Sequence, residues 1–321
     1  MKLNPRTSYL FLIVLILSTA CGKNDEDPPP PVPEKFDTLG IGWQKISIPD
    51  SSGFNDIFFV DDATGYLCGK RYMAKSTDGG ISWTRYKSFD SVQEILSNIF
   101  FIDANHGWLV GSEFLYRTEN GGTSWQAIKL PPPLGNNGGF DVQFLTSLSG
   151  YLINGESLYK STDGGVTWTK KLSVNNIAGL FFFDFDKGWI TGDDLITRTE
   201  NGGGSFSFEK PLPASKKNYS IQFTDDQHGW VTGAEGSVWR TIDGGNNWEQ
   251  LIGRGQGGDV SFFDNNNGYI LSDSKIYKTS DGGKTLEKHA SIKSLILEIH
   301  FTNPNHGWAA GDYGGVYRYS K

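Results

Sequence analysis

The chain has 321 residues, a formal net charge of −7, 14% aromatic residues, 41 glycines and two cysteines. This length holds one large repeat domain or two ordinary ones. Charge is mixed along the sequence, without the basic stripe that nucleic-acid binding requires. Cys21 and Cys68 form neither a disulfide framework nor a metal-type spacing, so neither a metal nor a cofactor is expected. Many short strands joined by glycine turns and packed through aromatic rings would have this composition.

The amino terminus reads as a signal peptide over residues 1–20. Lys2 and Arg6 precede an apolar run, 10–17, that is too short to span a bilayer. Ser18-Thr19-Ala20-Cys21 resembles the lipobox of bacterial lipoproteins, with Ser18 a departure from the usual Leu, Val or Ile. The resemblance implies cleavage before Cys21 and lipidation of Cys21; an ordinary secretory signal with an incidental cysteine is the alternative. Cleavage removes the two positive charges Lys2 and Arg6 and leaves −9. Residues 21–42 then read as a linker. Pro28 to Pro31 favour polyproline II, so 22–35 make a stalk of about 40 Å at most. The acidic Asp25-Glu26-Asp27 resembles the surface-export tether of Bacteroidota lipoproteins, which implies an outer-membrane, surface-exposed destination and membrane contact through lipid alone.

From residue 43 onward one unit recurs seven times. Each copy begins apolar-x-Phe, with Phe59, Phe101, Phe144, Phe182, Phe223, Phe262 and Phe301 spaced 42, 43, 38, 41, 39 and 39 apart. A polar turn follows, then Gly plus an aromatic: Gly65-Tyr66, Gly107-Trp108, Gly150-Tyr151, Gly188-Trp189, Gly229-Trp230, Gly268-Tyr269 and Gly307-Trp308. A period near 40 with strand chemistry predicts a seven-bladed all-β propeller over 43–321, with blades of four antiparallel strands. In the second copy the predicted strands are 99–102, 108–111, 115–118 and 125–128.

The turn between third and fourth strands carries Asp-boxes such as Ser76-Thr77-Asp78-Gly79-Gly80-Ile81-Ser82-Trp83. The key acid or amide is Asp78, Asn120, Asp163, Asn201, Asp243 or Asp281. Such a side chain accepts backbone N–H bonds within the turn while the glycines supply positive φ. The motif is therefore read as structural, with sporadic calcium binding as an alternative. The seventh copy stops after its third strand, whereas Trp43 to Ile48 has a fourth-strand pattern and no inner strands of its own. The N-terminal strand is thus expected to complete the last blade and close the ring.

Copies such as His228-Gly229-Trp230-Val231 through Asp243-Gly244-Gly245-Asn246-Asn247-Trp248 resemble the photosystem II stability/assembly factor family of propellers. The resemblance covers the whole domain after the stalk. It implies a non-enzymatic assembly role toward membrane protein complexes, and it carries the fold better than the partner.

In such a fold the links between blades (88–98, 130–141, 173–179, 211–220, 253–259 and 291–298) share one face with the second-to-third turns, and loops on a rigid scaffold are the usual home of binding. The second-to-third turns hold acids, namely Glu113, Glu156, Asp193 with Asp194, Glu235, Asp273 and Asp312, except that the first copy has Lys70-Arg71. They form an acidic mouth or merely polar hairpin turns. A basic residue closes every third strand: Lys75, Arg117, Lys160, Arg198, Arg240, Lys278 and Arg318. This ring is a candidate binding patch, the alternative being bonds between blades. His106, His228 and His306 precede Gly-Trp pairs, which suits turn chemistry better than a metal site. Cys68 sits in an apolar second-strand slot and is expected to be buried.

No catalytic residues are assigned. A sialidase needs an arginine cluster and a Tyr/Glu pair, yet of eight arginines Arg6 lies in the signal and four occupy the repeated slot, leaving Arg71, Arg85 and Arg254. Xyloglucan-type hydrolases place paired carboxylates between two propellers, and this chain has one. The expected function is a monomeric, lipid-tethered propeller that binds a protein partner, with glycan capture second. Exposed Phe89, Phe140 and Tyr219 would favour the glycan.

Overall fold

A computed structural model describes residues 39–321 apart from 49–52, 90–93, 132–138, 194, 209–217, 235–236, 253–257 and 313. The signal segment, Cys21, nearly all of the linker, Asp194 and Glu235 therefore lie outside the described residues, as does the side chain of Tyr219.

Seven four-stranded antiparallel sheets follow one another around a ring. Blade 1 comprises Phe54–Phe59, Gly65–Gly69, Tyr72–Ser76 and Thr84–Arg85, and blade 2 Leu96–Phe101, Gly107–Gly111, Phe114–Thr118 and Gln126–Lys129. Blade 3 comprises Gly139–Phe144, Gly150–Gly155, Ser157–Ser161 and Thr169–Ser173, and blade 4 Ile177–Phe182, Gly188–Gly192, Leu195–Thr199 and Ser207–Phe208. Blade 5 comprises Asn218–Phe223, Gly229–Gly233, Val238–Thr241 and Glu249–Ile252, and blade 6 Gly258–Phe262, Gly268–Ser272, Lys275–Thr279 and Glu287–Ser291. Blade 7 joins Ile296–Asn303, His306–Gly311 and Val316–Ser320 to the N-terminal Trp43–Ile46. The strands expected in the second copy agree to within three residues, the inner one beginning at Leu96 rather than Ile99.

The seam forms as the repeat predicts. Trp43 pairs with Tyr319, Gln44 with Arg318, Lys45 with Tyr317 and Ile46 with Val316. Trp43 is buried against Tyr319, Phe301 and His289. The third strand of blade 7 is thus covered rather than left as an open edge.

One steric device explains why Phe and Gly-aromatic recur together. The phenylalanine of each inner strand faces the glycine of its own second strand, as Phe59 faces Gly65. A Cβ on that glycine would lie 2.2–2.5 Å from the phenyl ring in all seven blades. The ring's other side stacks on the aromatic of the preceding blade. Phe101 lies on Tyr66, Phe144 on Trp108, Phe182 on Tyr151, Phe223 on Trp189, Phe262 on Trp230 and Phe301 on Tyr269, with centroids 3.4–4.1 Å apart. Phe59 on Trp308, at 3.4 Å and 6°, closes the circle. Stacked rings contribute about 0.5–1.5 kcal/mol beyond their area burial, so the ring closes through seven repeated contacts between blades.

A second device is absent from the repeat pattern. In five inner strands the pairing register skips one residue, at Asn55, Ser97, Ala178, Tyr219 and Leu297. Such a bulge reverses the alternation of side chains. Phe54, Leu96, Ile177 and Ile296 thereby join the buried core. Past the bulge, regular alternation turns the positions three and one before the interface phenylalanine toward the central channel, as it does in the two inner strands without a skip.

Candidate functional site

The turns sort onto two faces as expected. In six blades the first box glycine donates its N–H to the first-to-second turn of the same blade, as Gly79 does to Ala63 at 2.8 Å and Gly164 to Leu148 at 2.7 Å. On the opposite face, second-to-third turns bond to links between blades: Leu130 to Glu113, Val174 to Glu156, Asp193 to Asn176 and Ile292 to Ser274.

The Asp-boxes are self-contained turns. The opening Ser or Thr accepts the N–H of the second box glycine at 2.8–2.9 Å in all six copies. The acid or amide accepts an N–H four residues on, as Asp243 does from Asn247 at 2.9 Å and Asn120 from Ser124 at 2.9 Å. Asp78, Asp163, Asn201 and Asp281 repeat the bond. The backbone and side-chain donors of Thr285 hold the Asp281 carboxyl down at about 2. Among the described residues no three His, Cys, Asp or Glu side chains are grouped to hold a metal ion.

The basic ring lies between blades. Lys75 Nζ reaches Gly121 O of the next blade's box at 2.7 Å, beside Tyr66 Oη on the same carbonyl at 2.8 Å. Arg198 and Trp189 converge on Gly244 O, and Arg318 and Trp308 on Gly79 O, at 2.7–3.4 Å. Arg240 bonds Asp281 O at 3.4 Å, while Lys160 and Lys278 lie over the rings of Tyr151 and Tyr269. Arg117 pairs with Glu119. In three blades the base thus has a structural partner, the carbonyl of the next blade's first box glycine, a group that needs donors.

The histidines also have local partners. His106 Nδ1 contacts Asp103 and His228 Nδ1 contacts Asp225, at 2.9–3.0 Å. His306 lies 3.2 Å from Asn303 and 3.1 Å from Asp62. Sequence reasoning missed the residue that organises these turns. It stands two after each interface phenylalanine (Asp61, Asp103, Thr146, Asp184, Asp225, Asp264 and Asn303) and accepts the N–H groups that follow. Its Asp/Asn/Thr identity at a fixed offset was the available signal. Cys68 is fully buried, as its slot predicts.

On the link face the exposed charge is uneven. Lys70, Arg71 and Lys87 of blade 1 are exposed, and Arg85 lies over Tyr72 beside them. Glu113 pairs with Lys129 and Asp273 with Lys275, both at the surface. Glu156, Asp193 and Asp312 are half-buried. The aromatics expected there behave differently. Phe89 is only 3% exposed, because a 3-10 turn, Lys87–Phe89, drives it against Tyr116 and Trp125. Phe140 packs on the core between blades 2 and 3. Between blades 1 and 2 a pocket of 320 Å³ remains, lined by Tyr86, Phe89, Tyr116 and Trp125 with the hydroxyls of Ser88, Thr123 and Ser124.

The channel holds two layers of side chains that the repeat did not advertise. One consists of Asp56, Asn98, Asp141, Gly179, Ser220, Asp259 and Glu298; the other of Phe58, Phe100, Gln143, Phe181, Gln222, Ser261 and His300. They tie neighbouring inner strands together. Asp56 accepts the N–H of Ile99 at 2.6 Å, Asp141 that of Leu180 at 3.0 Å and Asp259 that of Ile299 at 3.0 Å. Gln143 and Gln222 each bond both backbone groups of the next blade's phenylalanine. His300 Nε2 donates to Phe59 O at 2.9 Å, and burial pulls the imidazole down to about 4. Burial raises Asp56 to about 7 and Asp141 to about 6.

Residues 37–139 match the family model of the photosynthesis system II assembly factor YCF48. Over 121 residues the chain is 27% identical to the photosystem II assembly lipoprotein Ycf48 of Synechococcus sp. (strain CC9902), a match that takes in 35% of this chain and 36% of that protein. A solved structure of YCF48 bound to D1 peptide superimposes with a TM-score of 0.73 at 22% identity, covering 87% of this chain and 95% of that one. A streptogramin B lyase superimposes at 0.70 with 15% identity, over 86% and 96%. At such identities the likeness of structures shows the fold alone, and that fold serves both a peptide binder and a lyase.

Proposed function

We propose that this seven-bladed propeller, similar to Ycf48 in sequence over residues 37–139, is a non-enzymatic binding protein whose link face captures a protein partner during assembly of a cell-envelope complex. The supporting observation is the sequence match through residues 37–139, which takes in the seam strand and the first two blades. That stretch includes the exposed basic corner of Lys70, Arg71 and Lys87, where the second-to-third turn carries Lys70-Arg71 in place of an acid. An uneven field of this kind steers and orients a charged protein surface. Lipidation at Cys21, export to the outer membrane and action as a monomer are part of the proposal. Among the described residues of the link face, Glu113 and Asp273 are each paired with a lysine rather than with a second carboxylate, the pairing that glycoside cleavage uses.

The test is crosslinking of the full chain in its native envelope, with Lys70→Glu/Arg71→Glu as control. Recovery of one discrete envelope protein, lost on charge reversal while the melting temperature holds, supports the reading. Undiminished capture by the reversed variant refutes the basic corner. Capture of no protein, together with binding to a glycan array, overturns the protein partner. The pocket of Tyr86, Phe89, Tyr116 and Trp125 favours that second reading, for aromatic walls with hydroxyls at the rim suit a sugar ring.

A further inference from the structure

The carboxyl groups of the channel are a conspicuous expense in a fold that otherwise fills its interior with rings. Asp56 and Asp259 are buried, and Asp141 and Glu298 line a channel pocket of 220 Å³. The two channel layers contain no lysine or arginine among their described residues. Asp259 of blade 6 and Glu298 of blade 7 hydrogen-bond each other through their carboxyls. Two carboxylates cannot form such a bond; one of them must hold a proton.

The surroundings decide which. Asp259 also accepts from the Ile299 N–H, which can only donate, and is hydrogen-bonded to the Ser220 hydroxyl, so that it has more donors than its partner. Asp259 is therefore the anion and Glu298 the donor. Asp56 of blade 1 lies on the other flank of Glu298, so like charges press on it from both neighbouring blades, with Asp141 further around the channel. The Cys68 thiol lies near Asp56 and donates to Leu96 O. His300, two residues along the same strand, is neutral and offers no countercharge.

We propose that Glu298 and Asp259 share one proton across the junction of blades 6 and 7, and that this bond is a proton-dependent latch on ring closure, tight in acid and loosened in alkali. The junction is a sensitive place for such a device, because blade 7 is the blade completed by the N-terminal strand. The folded state holds the proton at a pH where an unfolded glutamate has lost it. The latch therefore contributes fully below the ordinary carboxylate range, and its contribution is lost as pH rises through the elevated folded value.

The experiment uses the full chain and compares melting at about pH 5 and about pH 9. Glu298→Gln keeps a donor toward Asp259 but cannot ionise. The wild type is expected to melt lower at the alkaline pH, and the Gln variant to lose about half or more of that fall and to exceed the wild type there. Glu298→Ala, which removes the donor, is expected to melt lower than the wild type at about pH 5 and to lose most of that deficit at about pH 9. A second readout is the infrared carbonyl stretch of a protonated carboxyl, present in the wild type at neutral pH and weaker in Glu298→Gln, where only carboxyls such as Asp56 still contribute to it. An unchanged alkaline fall in the Gln variant, or no protonated carboxyl at neutral pH, overturns the latch.

Discussion

Deleting residues 36–50 removes the strand that completes blade 7. Trp43, Ile46 and Ile48 are 5%, 9% and 9% exposed, so each side chain is largely withdrawn from water. At about 2 kcal/mol per buried side chain the deletion forfeits about 6 kcal/mol of apolar burial as an upper bound. Releasing the ordering entropy of the strand returns part of this, leaving about 3–6 kcal/mol. Domains are stable by only about 5–15 kcal/mol. At about 2 °C per kcal/mol for a domain of this size, melting should fall by roughly 6–12 °C. The strand Val316–Ser320 would also become an open edge prone to pairing with other chains. Thermal melting followed by circular dichroism, with light scattering for aggregation, measures both effects. Deleting only 22–35 serves as control and should leave melting unchanged. If the 36–50 deletion melted like the full chain, the closure argument would be wrong.

Two further predictions probe the contacts between blades. Gly229→Ala places a Cβ 2.5 Å from the ring of Phe223, which is stacked on Trp189, so urea denaturation should show a loss of about 1–3 kcal/mol. A variant as stable as the parent would mean that the phenyl ring moves aside freely. Arg318→Ala removes the 2.7 Å bond from Nε to Gly79 O and should cost about 1.5–3 kcal/mol, while Arg318→Lys should retain much of it, as Lys75 does at Gly121. If Arg318→Ala left stability intact but abolished partner capture, the basic ring would be a binding patch after all.

How much of this was legible beforehand depended on whether the cause was repeated or relational. Phe and Gly-aromatic recur because a ring fits flat only where the facing residue lacks a Cβ, and a constraint met seven times prints itself in the sequence. The basic ring was equally visible, but its acceptor was not. Lys75 and Gly121 are 46 residues apart in the chain, and only the stacking of blades brings them together. Phe89 was read as an exposed loop aromatic, yet a single 3-10 turn buried it, because nothing in a local window shows that Tyr116 waits across the blade boundary.

By itself the sequence determined the number of blades, the Asp-box turns and the split blade sealed by Trp43. Each follows from local sterics and from hydrogen bonds within a turn. The tertiary structure alone decided what meets at the axis. Regular alternation back from Phe59 and Phe301 turns Asp56 and Glu298 toward the axis, but only the closed ring brings them beside carboxyls from other blades. The charge of those groups depends on neighbours some 40 residues away, as between Asp259 and Glu298, and on the water that the closed ring excludes.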